Sequence, residues 1–169
     1  MSRLVVMGVA GAGKTTVGLA LAAELHVPFV DGDDLHPAAN VRKMAAGTPL
    51  TDADREPWLR AIEDWMDERI AAGLRGVIAC SALHRAYRDR LLDGRPAARM
   101  VFLAITPQVA AERVAHRPAH FFPARLLDSQ FATLEPPDPA ERVLVMDASQ
   151  PVDVLVTGIA AGLRRAGGA

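Results

Sequence analysis

A single cysteine, Cys80, in 169 residues leaves no possibility of an intrachain disulfide and fits a reducing compartment, so a cytoplasmic protein is expected. Aromatic residues are sparse, at 5%, and neither sign of charge dominates: 19 Lys and Arg against 20 Asp and Glu give a formal net charge of −1. Nothing in that balance calls for a polyanionic partner, and no nucleic-acid partner is expected. Long apolar runs are also missing. The first, residues 4–7, is followed by Lys14 too soon for a signal-peptide core. Nothing later approaches the roughly 18 apolar residues of a membrane span, and no membrane association is expected. What is there, 50% apolar residues over the length of one domain, is enough for a single core.

Short apolar runs recur at residues 4–7, 27–30, 77–80, 100–105 and 143–146, each bounded by polar or turn-forming residues. Uninterrupted runs of this length read as strands of a parallel sheet covered on both faces. Helical periodicity lies between them. It is clearest over residues 57–72, where Trp58, Ile62, Trp65, Met66 and Ile70 share one face and Pro57 suits the first turn. The alternation predicts a single α/β domain of three layers, a five-stranded parallel sheet between helices. Two segments break the rhythm. Residues 31–56 are polar and carry Gly and Pro, and residues 113–137 are rich in Arg, His and Pro. The first is expected to be an acceptor-binding loop and the second a lid.

Gly8-Val9-Ala10-Gly11-Ala12-Gly13-Lys14-Thr15 matches G-x-x-x-x-G-K-[ST], between a predicted strand and a predicted helix that continues with Thr16. The glycines let backbone N–H groups turn onto phosphate oxygens, and the helix N-terminus adds partial positive charge. Lys14 is placed to reach the β- and γ-phosphates, and Thr15 to set its hydroxyl on Mg²⁺. ATP and Mg²⁺ are therefore expected, with residues 8–16 as the ATP site. The N/T-K-x-D and D-x-x-G patterns of GTPases do not occur, and the chain is short for a motor or transporter ATPase. This leaves a small P-loop kinase whose acceptor binds beside the loop under a closing lid.

Asp31-Gly32-Asp33-Asp34 follows the second predicted strand, at the sheet edge where α/β proteins bind ligands. Asp31 is assigned to the Mg²⁺ shell, Asp33 to orienting or deprotonating an acceptor hydroxyl, and Asp34 to solvent or a loop cap. His36, Lys43, Arg55 and Arg88 are candidate acceptor contacts, supplying cations for an anionic substrate. From the second irregular segment Arg113, Arg117 and Arg125 are candidates for a phosphate contact. Arg117 is preferred because it directly precedes Pro118, where the helix should end and the lid begin. His116 and His120 are four apart, but Pro118 between them breaks the helix that would align them on zinc. Trp58 and Trp65 are read as core, Cys80 as a buried strand residue, and Asp147 as a Walker-B-like aspartate ranked behind Asp31.

Beyond the P-loop the sequence is no longer generic. Asp31-Gly32-Asp33-Asp34-Leu35-His36-Pro37, Asn40-Val41-Arg42-Lys43-Met44 and the run from Gly47-Thr48-Pro49-Leu50-Thr51-Asp52 to Pro57-Trp58-Leu59 closely resemble the gluconokinase family. Cys80-Ser81-Ala82-Leu83, Tyr87-Arg88-Asp89, His120-Phe121 and Ser129-Gln130-Phe131-Ala132-Thr133-Leu134-Glu135-Pro136 look like the same family, and the resemblance runs from about residue 5 to about residue 147. It implies transfer of the ATP γ-phosphate to the 6-hydroxyl of D-gluconate, in a fold similar to shikimate and nucleoside monophosphate kinases, by a homodimer. Within these motifs His84 and His120 join the expected substrate contacts. The chain departs from the family at His84, where lysine is usual, and at Ala10 and Ala12, where serines are common. A neutral imidazole holds an anion less firmly than an ammonium. Two rival readings are a kinase for another small polyhydroxy acid, such as shikimate, or for a nucleotide, and a nucleotide-binding sensor without turnover.

Overall fold

The computed structural model describes residues 3–116 and 124–166. Strand β1 (Arg3–Met7) lies at the centre of a five-stranded sheet. On one side of it come β3 (Gly76–Ala79) and the edge strand β2 (Phe29–Asp31), and on the other β4 (Ala98–Ala104) and the edge strand β5 (Val143–Asp147). Every pairing is parallel. Each strand coincides with one of the apolar runs, its ends within two residues of the run's.

The runs are continuous because the central strands are buried on both faces. Leu4 and Val6 of β1 pack with Val17 and Leu21 of α1 (Lys14–Glu24) and Leu155 and Ile159 of α7 (Val152–Ala166). Val5 and Met7 face Trp58, Ile62 and Met66 of α3 (Asp52–Ala71) and Leu91 of α4 (Arg85–Leu92). The sheet thus separates two helical layers. Three further helices, α2 (Ala38–Ala45), α5 (Pro107–Ala115) and α6 (Ala124–Thr133), belong to the connections.

Helix α3 starts five residues before the position expected from periodicity. Thr51 Oγ1 accepts from the Asp54 amide at 3.2 Å, and the Asp54 carboxylate accepts from the Thr51 amide at 2.9 Å, a reciprocal capping box. Pro57 therefore falls inside the helix rather than in its first turn, leaving the Ala53 carbonyl without its intrahelical donor. Trp58, Ile62 and Met66 are core as expected, whereas Ile70 is exposed. Among the described residues, the two segments expected to be irregular are largely helical. The first holds a 3-10 turn (Gly32–Leu35), α2 and the start of α3, and the second holds the end of α5 and all of α6. No helix among the described residues is long and apolar enough to cross a membrane.

Candidate active site

The chain runs outward from β1 to β2, returns through β3, and then crosses β1 to reach β4. At that reversal the C-terminal ends of β1, β2 and β3 leave a crevice, the place where open α/β sheets bind ligands. The glycine loop follows β1, the 3-10 turn follows β2, and Cys80 and Ser81 follow β3.

Two of the loop's glycines have geometric reasons. Gly13 opens α1 with φ 93°, and Gly11 has φ 80° with the Ala110 carbonyl only 2.7 Å from where a Cβ would stand. Lys14 Nζ donates back to the Val9 carbonyl at 3.2 Å. Thr15 Oγ1 donates to Asp31 Oδ2 at 2.6 Å, and Asp31 Oδ1 accepts from the Asp33 amide at 3.1 Å. Asp31, not Asp34, is therefore the residue that caps the turn. By giving its proton to Asp31, the Thr15 hydroxyl keeps lone pairs free for a cation. A hard divalent cation that takes its other ligands from phosphate and water fits this pair.

A cleft of about 600 Å³ adjoins the loop. Ala10, Lys14 and Thr15 line one side, Asp33, His36, Arg55 and Trp58 another, and His84, Tyr87, Ser129 and Gln130 close it. Trp58 Nε1 donates to the Gly32 carbonyl at 2.7 Å, fixing α3 to the turn that carries Asp33. His36 stacks on Trp58, with centroids 4.5 Å apart and planes 8° apart. The buried Asn40 donates through Nδ2 to the Asp54 carbonyl at 2.7 Å and to His36 Nδ1 at 3.2 Å. A carbonyl accepts only, so the Asn40 orientation is fixed and His36 Nδ1 must be the unprotonated nitrogen. Burial lowers the His36 pKa, with Arg55 adding to the effect and Asp33 opposing it. The imidazole is thus kept neutral, with an Nε2–H donor.

Arg55 Nη1 and Tyr87 Oη both donate to Asp52 Oδ1, at 3.3 and 2.5 Å, joining the starts of α3 and α4. The Tyr87 hydroxyl is the main reason the Asp52 carboxyl is held below its usual range. His84 stands 3.7 Å from Glu135 through Nδ1 and packs edge-on to Tyr87. Glu135 is itself anchored, accepting from the Arg85 amide through its carboxylate and donating its own amide to the Leu83 carbonyl at 2.9 Å.

Of the residues singled out from sequence, Lys14, Thr15, Asp33, His36, Arg55 and His84 meet in this cleft. Lys43 does not. Its ammonium is held by both oxygens of Asp54, at 2.7 and 2.8 Å, as part of the α3 cap. Arg88 does not either: its side chain is 0% exposed, paired through Nε and Nη2 with Glu141 at 2.7 and 2.9 Å and bonded through Nη1 to the Leu83 carbonyl. It fastens the start of α4 from within. Arg113 lies behind the glycine loop, donating to the Ala148 carbonyl at 2.7 Å and the Gly11 carbonyl at 3.5 Å. Arg117 and His120 lie outside the described residues. Asp147 accepts from the Ser149 amide at the end of an edge strand and does not line the cleft. Cys80 is buried, and desolvation pushes its thiol up to about 12, which leaves it inert.

Sequence reasoning missed Ser81, Tyr87 and Gln130 as cleft residues. All three stand in the recognised motifs, but only the return of α6 onto the glycine loop reveals that Gln130 touches it: its Oε1 accepts from the Ala10 amide at 2.7 Å.

A family model described as an AAA domain matches residues 4–137. The gluconokinase of Gluconobacter oxydans (strain 621H) is 47% identical over 153 residues, covering 90% of this chain and 86% of that protein. The thermoresistant gluconokinase of Escherichia coli (strain K12) is 42% identical, covering 90% of this chain and 87% of its own length. Among solved structures, a gluconokinase from Sinorhizobium meliloti 1021 superimposes with a TM-score of 0.88 at 45% identity, covering 97% of this chain and 92% of that one.

Proposed function

Because this chain belongs to the gluconokinase family, we infer that it transfers the γ-phosphate of ATP to the 6-hydroxyl of D-gluconate, giving 6-phospho-D-gluconate and ADP. The observation that carries the acceptor site is the convergence of Lys14 and Thr15 with Asp33, His36, Arg55 and His84 on one cleft. A phosphate loop and a set of groups suited to an anionic polyol line the same cleft there, the arrangement that in-line transfer calls for.

Residues 8–16 form the ATP phosphate site, through those backbone N–H groups that Gln130, Ser81 and Val9 do not take up, and Lys14 neutralises charge on the β- and γ-phosphates. Thr15 and Asp31 are the residues that would hold Mg²⁺. When bound, the ion supplies charge neutralisation at the phosphates. Arg55 and His84 receive the gluconate carboxylate, while the Nε2–H of His36 donates to a hydroxyl oxygen. Asp33 orients the 6-hydroxyl and takes its proton. The oxygen forms the new P–O bond as the bond to the ADP oxygen breaks, and ADP leaves with that electron pair. Arg117, the arginine preferred from sequence, would counter charge on the transferring group, whereas Arg113 is taken up by the Gly11 and Ala148 carbonyls. A homodimer and a cytoplasmic location complete the reading, the first from the family resemblance and the second from the single cysteine.

The test is ADP release with D-gluconate beside shikimate, other aldonates and nucleoside monophosphates, with Lys14→Ala as the blank. Turnover with gluconate, lost in the blank, is expected. Preference for another acceptor would leave the phosphate loop argument standing and remove gluconate. Asp33→Asn should lower kcat by about 10²–10⁴-fold while ATP still binds.

A further inference from the structure

We propose that Gln130 is a catalytic residue: its side-chain amide is held by the phosphate loop and presents its NH₂ group to an oxygen of the phosphoryl group in transit. Gln130 is half-buried on α6, and its Oε1 accepts from the Ala10 amide at 2.7 Å across 120 residues of chain. A backbone N–H donates only, so the oxygen end of the planar amide must face the loop. The nitrogen end then takes no part in that contact. Among the described residues, Gln130 Nε2 donates to none, although Gln130 lines the same cleft as Lys14 and Asp33. The space between those two residues is the path of the phosphoryl group, whose equatorial oxygens gain charge as the bond to ADP breaks and the bond to the acceptor oxygen forms. An NH₂ group presented to that path would act more strongly in the transition state than in the ground state, because the Ala10 contact sets its position before charge develops.

This assignment rests on the phosphotransfer reading but not on which acceptor is used. It differs from the plain alternative, in which Gln130 only ties α6 to the loop. Gln130→Glu separates the two: the carboxylate still accepts from the Ala10 amide, but it replaces the donors with a negative oxygen facing the phosphoryl path. Gln130→Met removes both ends.

The experiment measures kcat and KM for each variant, together with the affinity for ADP with Mg²⁺ alone and with added aluminium fluoride, a planar mimic of the transferring group. Expected is a loss of about 100-fold in kcat for both variants, KM for the acceptor changed by less than about threefold, and loss of the tightening that aluminium fluoride gives the unaltered protein. Gln130→Glu retaining kcat and that tightening within about threefold would overturn the proposal and leave a tether. If Gln130→Glu unfolds, the same ratio is read on Gln130→Met, where retained tightening overturns it equally. Failure of the unaltered protein to phosphorylate gluconate would remove the acceptor assignment while the aluminium fluoride comparison still decides the role of Gln130.

Discussion

Gly47 lies beneath the guanidinium of Arg125, where an added Cβ would overlap that group. Arg125 Nη2 donates to the neighbouring Ala46 carbonyl at 3.1 Å, so a side chain from α6 grips the C-terminal end of α2. Gly47 also has φ 69°, a conformation that costs other residues about 1 kcal/mol or more. Val41, Met44 and Ala45 of α2 line the cleft, so this contact sets the position of one of its walls.

Gly47→Ala should therefore raise the acceptor KM several-fold and lower stability by about 1–3 kcal/mol. Arg125→Ala removes the obstructing group, and the double variant should regain acceptor affinity relative to Gly47→Ala alone. Steady-state kinetics with varied gluconate, alongside urea unfolding, measures both. Additive losses in KM would mean that the two residues do not act on one another.

The Thr15–Asp31 hydrogen bond at 2.6 Å predicts a shared metal role. Asp31→Asn should raise the Mg²⁺ concentration for half-maximal activity by about 10–100-fold, as expected of a group that orients a metal ligand. Titration of Mg²⁺ at saturating ATP is the measurement. An unchanged midpoint would confine Asp31 to capping the turn that holds Asp33.

Arg88 and Glu141 form an ion pair with side-chain exposures of 0% and 4%. Glu141→Gln strands a buried guanidinium and should cost about 3–5 kcal/mol, whereas the double change Arg88→Met with Glu141→Leu should recover much of that loss. Denaturant midpoints check the first statement and the cycle checks the second. Since the pair is outside the cleft, acceptor KM in Glu141→Gln should stay near that of the unaltered protein at temperatures where it is folded.

His36 gives a pH dependence of defined sign. Its folded pKa is lowered from 6.5, so the unfolded chain takes up the proton first as pH falls. The stabilisation from the neutral ring is fully present above pH 6.5 and erodes below it, continuing down to the folded pKa. Protonation also places two donors, Asn40 Nδ2 and Nδ1–H, against each other. His36→Phe, which retains a ring against Trp58, should flatten the loss of stability below pH 6.5. Equal slopes for the two proteins would remove His36 as the titrating group. Asp54 acts in a lower window: its carboxyl, held down to about 2 mainly by Lys43, contributes above 3.8 and loses that contribution as pH falls toward 2.

The sheet was legible in the sequence because parallel strands buried on both faces read as short, unbroken apolar runs, as residues 4–7 and 77–80 do. The phosphate loop was legible because its chemistry depends on backbone turns that only a narrow spacing of glycines permits. The start of α3 was not, since Pro57 is a strong local signal for a first turn and the capping box at Thr51 and Asp54 a weaker one.

Local sequence thus determined which segments become strands, where the glycine loop falls and which polar residues follow each strand. Tertiary structure alone decided which of those residues meet. Lys43 and Arg88 carry the same charge as Arg55, yet one is held by Asp54 and the other is sealed against Glu141, while Arg55 faces the cleft. Gln130 is 120 residues from Ala10, and its contact exists only because α6 folds back over the glycine loop. A side chain's charge is a property of the residue, but its availability depends on which partner the fold brings within hydrogen-bond reach first.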